Sequence, residues 1–212
     1  MKKEFTRIAI ILDRSGSMES CKESTVSGFN EFIRNQKKIP GEATVKLVQF
    51  DDQYETVFDK RLENCPELTQ STFVPRGSTA LLDAQGRTIV ELGQELAALP
   101  EQERPSKVIV VTLTDGQENA SKEYSLDKIG AMIQEQRDKY NWDFVFLGAN
   151  QDAVATAAAM NIPLPSAMSY STSKSGIAAT MAAVSHYVGS ARAGKAAAFS
   201  AEDRKAAMDK DA

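Results

Sequence analysis

Histidine occurs once in the 212-residue sequence, at His186, and cysteine twice, at Cys21 and Cys65. A single histidine leaves a serine or cysteine nucleophile few bases to activate it. Two thiols are too few for a disulfide framework, and without a secretory leader they are expected to be free, in a reducing cytoplasm. No apolar run reaches the roughly 18 residues that a membrane span needs. The run behind Met1-Lys2-Lys3-Glu4-Phe5 stops at Asp13 and reads as a first strand, not a signal peptide. A basic excess is missing too: 25 Lys and Arg stand against 29 Asp and Glu, a net charge of −4, so nothing marks a nucleic-acid surface. There is no G-x-x-x-x-G-K-S/T phosphate loop, no G-x-S-x-G nucleophile elbow and no G-x-G-x-x-G after a strand. At 42% hydrophobic and 25% charged residues, the composition is that of a globular protein, long enough for one α/β domain with a short tail.

What is present begins with Ile8-Ala9-Ile10-Ile11-Leu12-Asp13-Arg14-Ser15-Gly16-Ser17-Met18. The apolar run reads as a strand of a parallel sheet, buried on both faces. Asp13 then sits at the strand's carboxyl end, the edge at which open α/β sheets gather ligands. The D-x-S-x-S spacing lets a carboxylate and two hydroxyls turn toward a common point, with Gly16 freeing the backbone for the turn. Hard oxygens converging in this way suit Mg2+, Mn2+ or Ca2+ rather than zinc.

Helical periodicity covers residues 22–38, with Val26, Phe29 and Ile33 on one face, and Pro40-Gly41 ends it. Residues 44–50 alternate as a strand, Asp51-Asp52-Gln53 turns the chain, and residues 54–58 begin a second strand, so this pair is an antiparallel hairpin. After a loop through Pro75-Arg76-Gly77-Ser78-Thr79, residues 80–99 read as a second helix with Leu82, Ile89, Leu92 and Leu96 inward. Residues 107–114 are β-branched almost throughout and run into Asp115-Gly116. A helix over 126–140, a strand over 142–148 and a short alanine-rich helix capped by Asn150-Gln151-Asp152 follow. An edge strand over 167–170 and a helical stripe of Ile177, Met181, Val184 and Val188 complete the alternation. The expected fold class is α/β: a doubly wound, mostly parallel six-stranded sheet with one antiparallel edge hairpin and helices on both faces. Residues 1–190 are expected to form the domain, and 191–212 an alanine-rich charged tail, helical or disordered, in which Ser200 and Asp203 could start a helix.

Three loops point to one site. Asp13, Ser15 and Ser17 follow one strand, Thr79 opens a helix in Gly77-Ser78-Thr79-Ala80-Leu81, and Asp115 follows another strand in Leu113-Thr114-Asp115-Gly116. Singly, the aspartates also suit strand ends and turns, and the hydroxyls also suit helix caps. Together, and in this order, they resemble the metal-ion-dependent adhesion site of von Willebrand factor type A domains, over about residues 5–187. In particular the chain resembles short stand-alone members found in bacteria and their phages. The resemblance implies that Ser15 and Ser17 give hydroxyl oxygens directly to a divalent metal. Thr79 would do so directly in one state and through water in another. Asp13 and Asp115 would hold metal-bound waters, or one would bind directly when no partner is present. Gly116, Gly148 and Asn150 would shape the rim. His186 reads as a packing or surface residue and Trp142 as packing; Asp51-Asp52 and Glu118 could adjoin the site, though turn and surface roles are the expectation for them.

Two classes of function follow. One is a binding module. The carboxylates balance the cation's charge while the neutral hydroxyls donate weakly, so the metal stays electron-poor toward an open position. An acidic side chain of a partner protein would fill that position, as in the family's ligand-binding members. The other class is phosphoryl transfer or hydrolysis with the same metal. A haloacid-dehalogenase-like phosphatase needs a second acid two residues after the first, where this chain has Ser15. The expectation is therefore a cytoplasmic, non-enzymatic module that binds Mg2+ (Mn2+ or Ca2+ as substitutes) and, through it, a protein. Neither nucleic acid nor membrane is an expected partner.

Overall fold

The computed structural model describes residues 1–149 and 152–209; Asn150 and Gln151, read above as rim and cap, lie outside them. The chain alternates β1 (Lys2–Asp13), α1 (Lys22–Lys37), β2 (Glu42–Phe50), β3 (Tyr54–Arg61), α2 (Leu81–Ala98), β4 (Pro105–Thr114), α3 (Leu126–Tyr140), β5 (Asp143–Ala149), α4 (Ala153–Ala159), β6 (Ala167–Tyr170), α5 (Lys174–Arg192) and α6 (Ala201–Ala207). The sheet order is β3-β2-β1-β4-β5-β6. β1 lies parallel to both β2 and β4, β5 is parallel to β4 and β6, and only β3 runs antiparallel, on β2. The expected six-stranded, mostly parallel sheet with one edge hairpin is therefore present.

Side-chain alternation sends each central strand to two cores. Ile8, Ile10 and Leu12 of β1 join Val45, Leu47, Val111, Leu113 and Leu147 beneath α1 and α5. Ala9 and Ile11 join Val110, Phe144 and Phe146 beneath α2, α3 and α4. Burial on both faces explains why β1 and β4 carry no polar alternation along most of their length. Gly28 of α1 lets α5 approach closely: a Cβ there would stand 2.7 Å from Met181 Cγ. Chain order reverses between β1 and β4, because α1 carries the chain to one side and α2 carries it back to the other. That reversal opens a crevice at the carboxyl ends of these two strands.

The antiparallel β3 leaves the chain at the sheet's amino edge, so residues 62–80 must travel back before α2 can start. Leu68 and Phe73 anchor the return in the core, and Asn30 of α1 clamps it by donating to Leu68 O at 2.9 Å and accepting from Leu68 N at 2.8 Å. This path delivers Thr79 to the same edge as Asp13.

Part of the segment over residues 192–209 packs on the domain. Phe199 is 6% exposed and lies 5.2 Å, centroid to centroid, from the Tyr187 ring. Ser200 and Asp203 form a reciprocal capping box that starts α6, Arg204 donates to Ala167 O and Leu164 O, and Ser171 N donates to Ala207 O. The segment set apart from the sequence as a tail thus reaches the β6 edge, with a helix over Ala201–Ala207. Alanine-rich composition hid this, since a single phenylalanine and one buried alanine carry the contact. Phe199→Ala is expected to cost about 3 kcal/mol, as large-to-small core substitutions do; urea unfolding measures it, and a change near zero would mean that the segment does not hold the domain.

Candidate metal centre

β1 ends at Asp13, and its carboxylate is pinned from two sides. Ser15 N donates to Oδ1 at 2.6 Å, and Thr114 Oγ1 donates to Oδ2 at 2.6 Å. The chain then winds through a 3-10 turn, Gly16–Cys21, that directs Ser15 and Ser17 back over the strand end. Ser15 occupies that turn's cap position but makes no side-chain capping bond, so its hydroxyl is not used by the backbone there. Its Oγ lies 3.1 Å from Ser17 Oγ, and Ser17 Oγ donates to Asp115 Oδ1 at 2.5 Å. The residue at the α2 cap position is Ala80, leaving the Thr79 side chain outside that role.

Gly116 measures how closely these groups converge. A Cβ on it would stand 3.0 Å from Thr79 Oγ1, 3.6 Å from Ser17 Oγ and 3.8 Å from Ser15 Oγ. All five residues singled out in the sequence, Asp13, Ser15, Ser17, Thr79 and Asp115, therefore meet at one edge. Asp13, Ser15, Thr79 and Asp115 are buried, whereas Gly16, Ser17 and Ser78 are exposed, so the cluster opens to solvent on one side. Among the described residues no group of three or more His, Cys, Asp or Glu side chains is placed to hold a metal. A cation at this edge would depend on hydroxyl oxygens as much as on carboxylates. Gly148, next to last in β5, pairs with Thr114 at the end of β4.

Several positioning residues escaped the sequence reading. Asn119 holds Thr79 twice: its Oδ1 accepts from Thr79 N at 2.9 Å, and its own N–H donates to Thr79 O at 3.0 Å. Glu118, read as a surface acid, accepts from Leu82 N, Ala120 N, Ser121 N and Ser121 Oγ. Asp83 accepts from the backbone of Lys122, Glu123 and Tyr124. Asp51, read as a turn residue, is fully buried and accepts from Arg14 at 3.1 Å and Arg76 at 2.8 Å. These contacts join loops far apart in sequence, and no local pattern announces them.

A family model for the von Willebrand factor type A domain matches residues 8–117, which hold every one of the five clustered side chains. The chain belongs to this family. No curated protein matches it in sequence. Among solved structures, it is similar to the pilus adhesin SpaC of Lactobacillus rhamnosus GG, at 13% identity and a TM-score of 0.66, covering 90% of this chain and 31% of that one. Proximal thread matrix protein 1 from the mussel byssus, with a zinc-occupied MIDAS motif, is similar at 16% identity and a TM-score of 0.61, covering 89% and 47%. The ArnB paralog VWA2 of Sulfolobus acidocaldarius is similar at 19% identity and a TM-score of 0.53, covering 84% and 44%. The chain thus spans less than half the length of each, and identities this low speak for the fold.

Within this type A domain the electrostatics are unfavourable to bare carboxylates. Burial pushes the Asp13 carboxyl up to about 6, against the hydrogen bonds from Thr114 and Ser15, and nearby Asp115 raises it further. Asp115 is also raised by burial, opposed by the Ser17 hydroxyl. The thiols Cys21 and Cys65 are free and buried, each pushed up to about 11 by burial, which suits inert packing. His186 is exposed on α5, and Trp142 is buried and stacks on Phe144. No helix among the described residues is long and apolar enough to cross a membrane.

The Asp13 shift predicts a pH dependence for the metal-free domain. Its folded value of about 6 exceeds the roughly 3.9 of an unfolded aspartate, so this group favours the fold most below about pH 4 and loses that contribution as pH rises to about 6. In chelator at pH 7.5, Asp13→Asn is expected to raise unfolding stability by about 1–3 kcal/mol. Denaturant titrations at pH 4.5 and 7.5 measure it; an equal effect at both would contradict the assignment.

Proposed function

We propose that this type A domain is a non-enzymatic, divalent-metal-dependent protein-binding module. In this reading Ser15, Ser17 and Thr79 supply hydroxyl oxygens to the cation, and Asp13 and Asp115 balance its charge directly or through water. The observation that carries it is the convergence around Gly116, where the hydroxyls of Thr79, Ser17 and Ser15 lie within 3.0–3.8 Å of one position, Ser17 bonds the Asp115 carboxylate, and the cluster opens to solvent beside Ser17. Mg2+ takes about six oxygens and keeps several waters, so an incomplete protein shell of this kind suits it. When bound, the cation would supply a Lewis-acidic position for an incoming carboxylate of a partner protein. The chain's own part is to hold the oxygens still: Thr114 fixes Asp13, Asn119 fixes Thr79, and Ser17 fixes Asp115. Those relatives that are an adhesin and a byssus matrix protein accord with a binding role. A cytoplasmic setting belongs to the same proposal, in keeping with two free thiols.

Gly116→Ala tests this convergence. The added methyl would press on Thr79 Oγ1 at 3.0 Å while the backbone there needs no left-handed conformation. Mn2+ affinity is expected to fall at least tenfold, with unfolding stability in chelator changed by about 1 kcal/mol or less. Calorimetric titration with Mg2+ and Mn2+, with Zn2+ as competitor because the byssus protein's motif holds it, reads the affinities. Unchanged cation affinity in both Gly116→Ala and Asp13→Ala would overturn the metal assignment. Partner capture that survives chelation undiminished would overturn the binding role assigned to the metal.

A further inference from the structure

Beside the cluster lies a second polar cavity, of about 350 Å3, lined by Arg14, Glu55, Val57, Ser71, Thr72, Val74 and Arg76. Its two guanidinium groups stand on the two loops that build the metal centre. Arg14 separates Asp13 from Ser15, and Arg76 immediately precedes Gly77-Ser78-Thr79. The loops run side by side, since Arg76 N donates to Arg14 O at 2.8 Å and Gly16 N donates to Gly77 O at 3.2 Å. Arg14 spends Nε on Asp51 at 3.1 Å and Nη1 on Glu55 at 2.6 Å, yet its buried Nη2 has no hydrogen-bond partner. Its side chain is 8% exposed, so this is a desolvated cationic donor left unsatisfied. Gln49 presents a matching orphan: its amide donates to Thr72 O at 3.1 Å while its buried Oε1 accepts nothing. Arg76 is half exposed, with Nε on Asp51 and Nη2 on Gln53.

Asp51 is wholly buried and serves to aim both arginines. Although burial opposes its ionisation, Arg76, the Gln53 amide and Arg14 hold it below the usual aspartate range, so it stays charged. Glu55 differs, because its side chain is 56% exposed and meets Arg14 at the open end. Half in solvent, this carboxylate is more readily displaced from Arg14 than the wholly buried Asp51. An incoming carboxylate could displace Glu55 and take a guanidinium in the planar, bidentate manner that arginine favours. Val57 and Val74, the latter 48% exposed, offer apolar contact to the methylenes of a glutamate.

We infer that the cavity of Arg14 and Arg76 is a second carboxylate subsite, so that the partner presents two acidic side chains, one to the cation and one to this arginine pair. The inference rests on the binding role proposed above. The subsite sets specificity: a single acid satisfies the metal, and a correctly spaced pair engages both positions with the avidity of linked contacts.

The test uses the full chain with acetylated, amidated peptides carrying either one glutamate or two glutamates separated by none to four glycines. In Mg2+, at least one two-acid peptide is expected to bind tenfold or more tightly than the one-acid peptide. In Arg76→Gln the one-acid and two-acid peptides are expected to bind equally, whatever that variant's own affinity for Mg2+. Glu55→Gln is expected to strengthen two-acid binding several-fold, because it removes the internal competitor; a merely structural Glu55 would weaken or not alter it. In chelator, the side-chain Nε–Hε signals of the arginines are expected to shift on adding the two-acid peptide to the wild-type chain and not to Arg76→Gln. Arginine shifts without any Mg2+ dependence would sink the metal reading and spare this one. Mg2+-dependent binding with no two-acid gain, or with a gain that Arg76→Gln keeps, would sink this one alone.

Discussion

Two carboxylates that lose their hydration at one strand edge raise each other's free energy, and the architecture around Asp13 and Asp115 is arranged about that cost. Pairing β1 with β4, Leu12 against Leu113, brings the next residues of both strands to the same edge. Thr114 then crosses to Asp13, and Ser17 crosses to Asp115, so each carboxylate is met by a hydroxyl. Burial nevertheless raises both carboxyl groups above the usual aspartate range. That cost is relieved by a proton at low pH or by a cation, and the raised Asp13 value expresses it.

Rigid oxygens demand rigid loops. β1 and β4 are held by packing on both faces, but the Thr79 loop arrives after a long excursion forced by the antiparallel β3. Its position is secured by polar contacts instead: Asn30 at the middle, Asn119 and Glu118 at the end, Asp51 with Arg14 and Arg76 alongside. Each contact removes a degree of freedom that an open loop would retain, and the ordering entropy is spent at folding, before any ligand arrives. The same network leaves a buried Arg14 donor without a hydrogen-bond partner among the described residues, and Arg14 and Arg76 join the five-residue cluster to the neighbouring cavity.

Much of the fold was legible because burial on two faces writes a long apolar run and burial on one face writes periodicity. Residues 8–12 and 107–114 announced the central strands, and 126–140 a helix with those bounds. The five clustered residues could be named together because, in this order and near strand ends and a helix start, they resemble the family's metal-site pattern; singly each also suits a turn or a cap. The return path through Phe73 and the docking of Phe199 were not legible, since an isolated aromatic in a polar stretch carries no period.

Sequence alone settled which groups are present and which edge they leave from: β-branched runs ending in acids, hydroxyls at a spacing of two, and a glycine between them to free the turn. It could not settle their mutual distances, because those depend on strand register and on hydrogen bonds such as Asn119 to Thr79, 40 residues apart, and Arg14 to Asp51, 37 apart. Contacts between distant segments are selected by the packing of the whole sheet, and a linear pattern holds no record of which pair will meet.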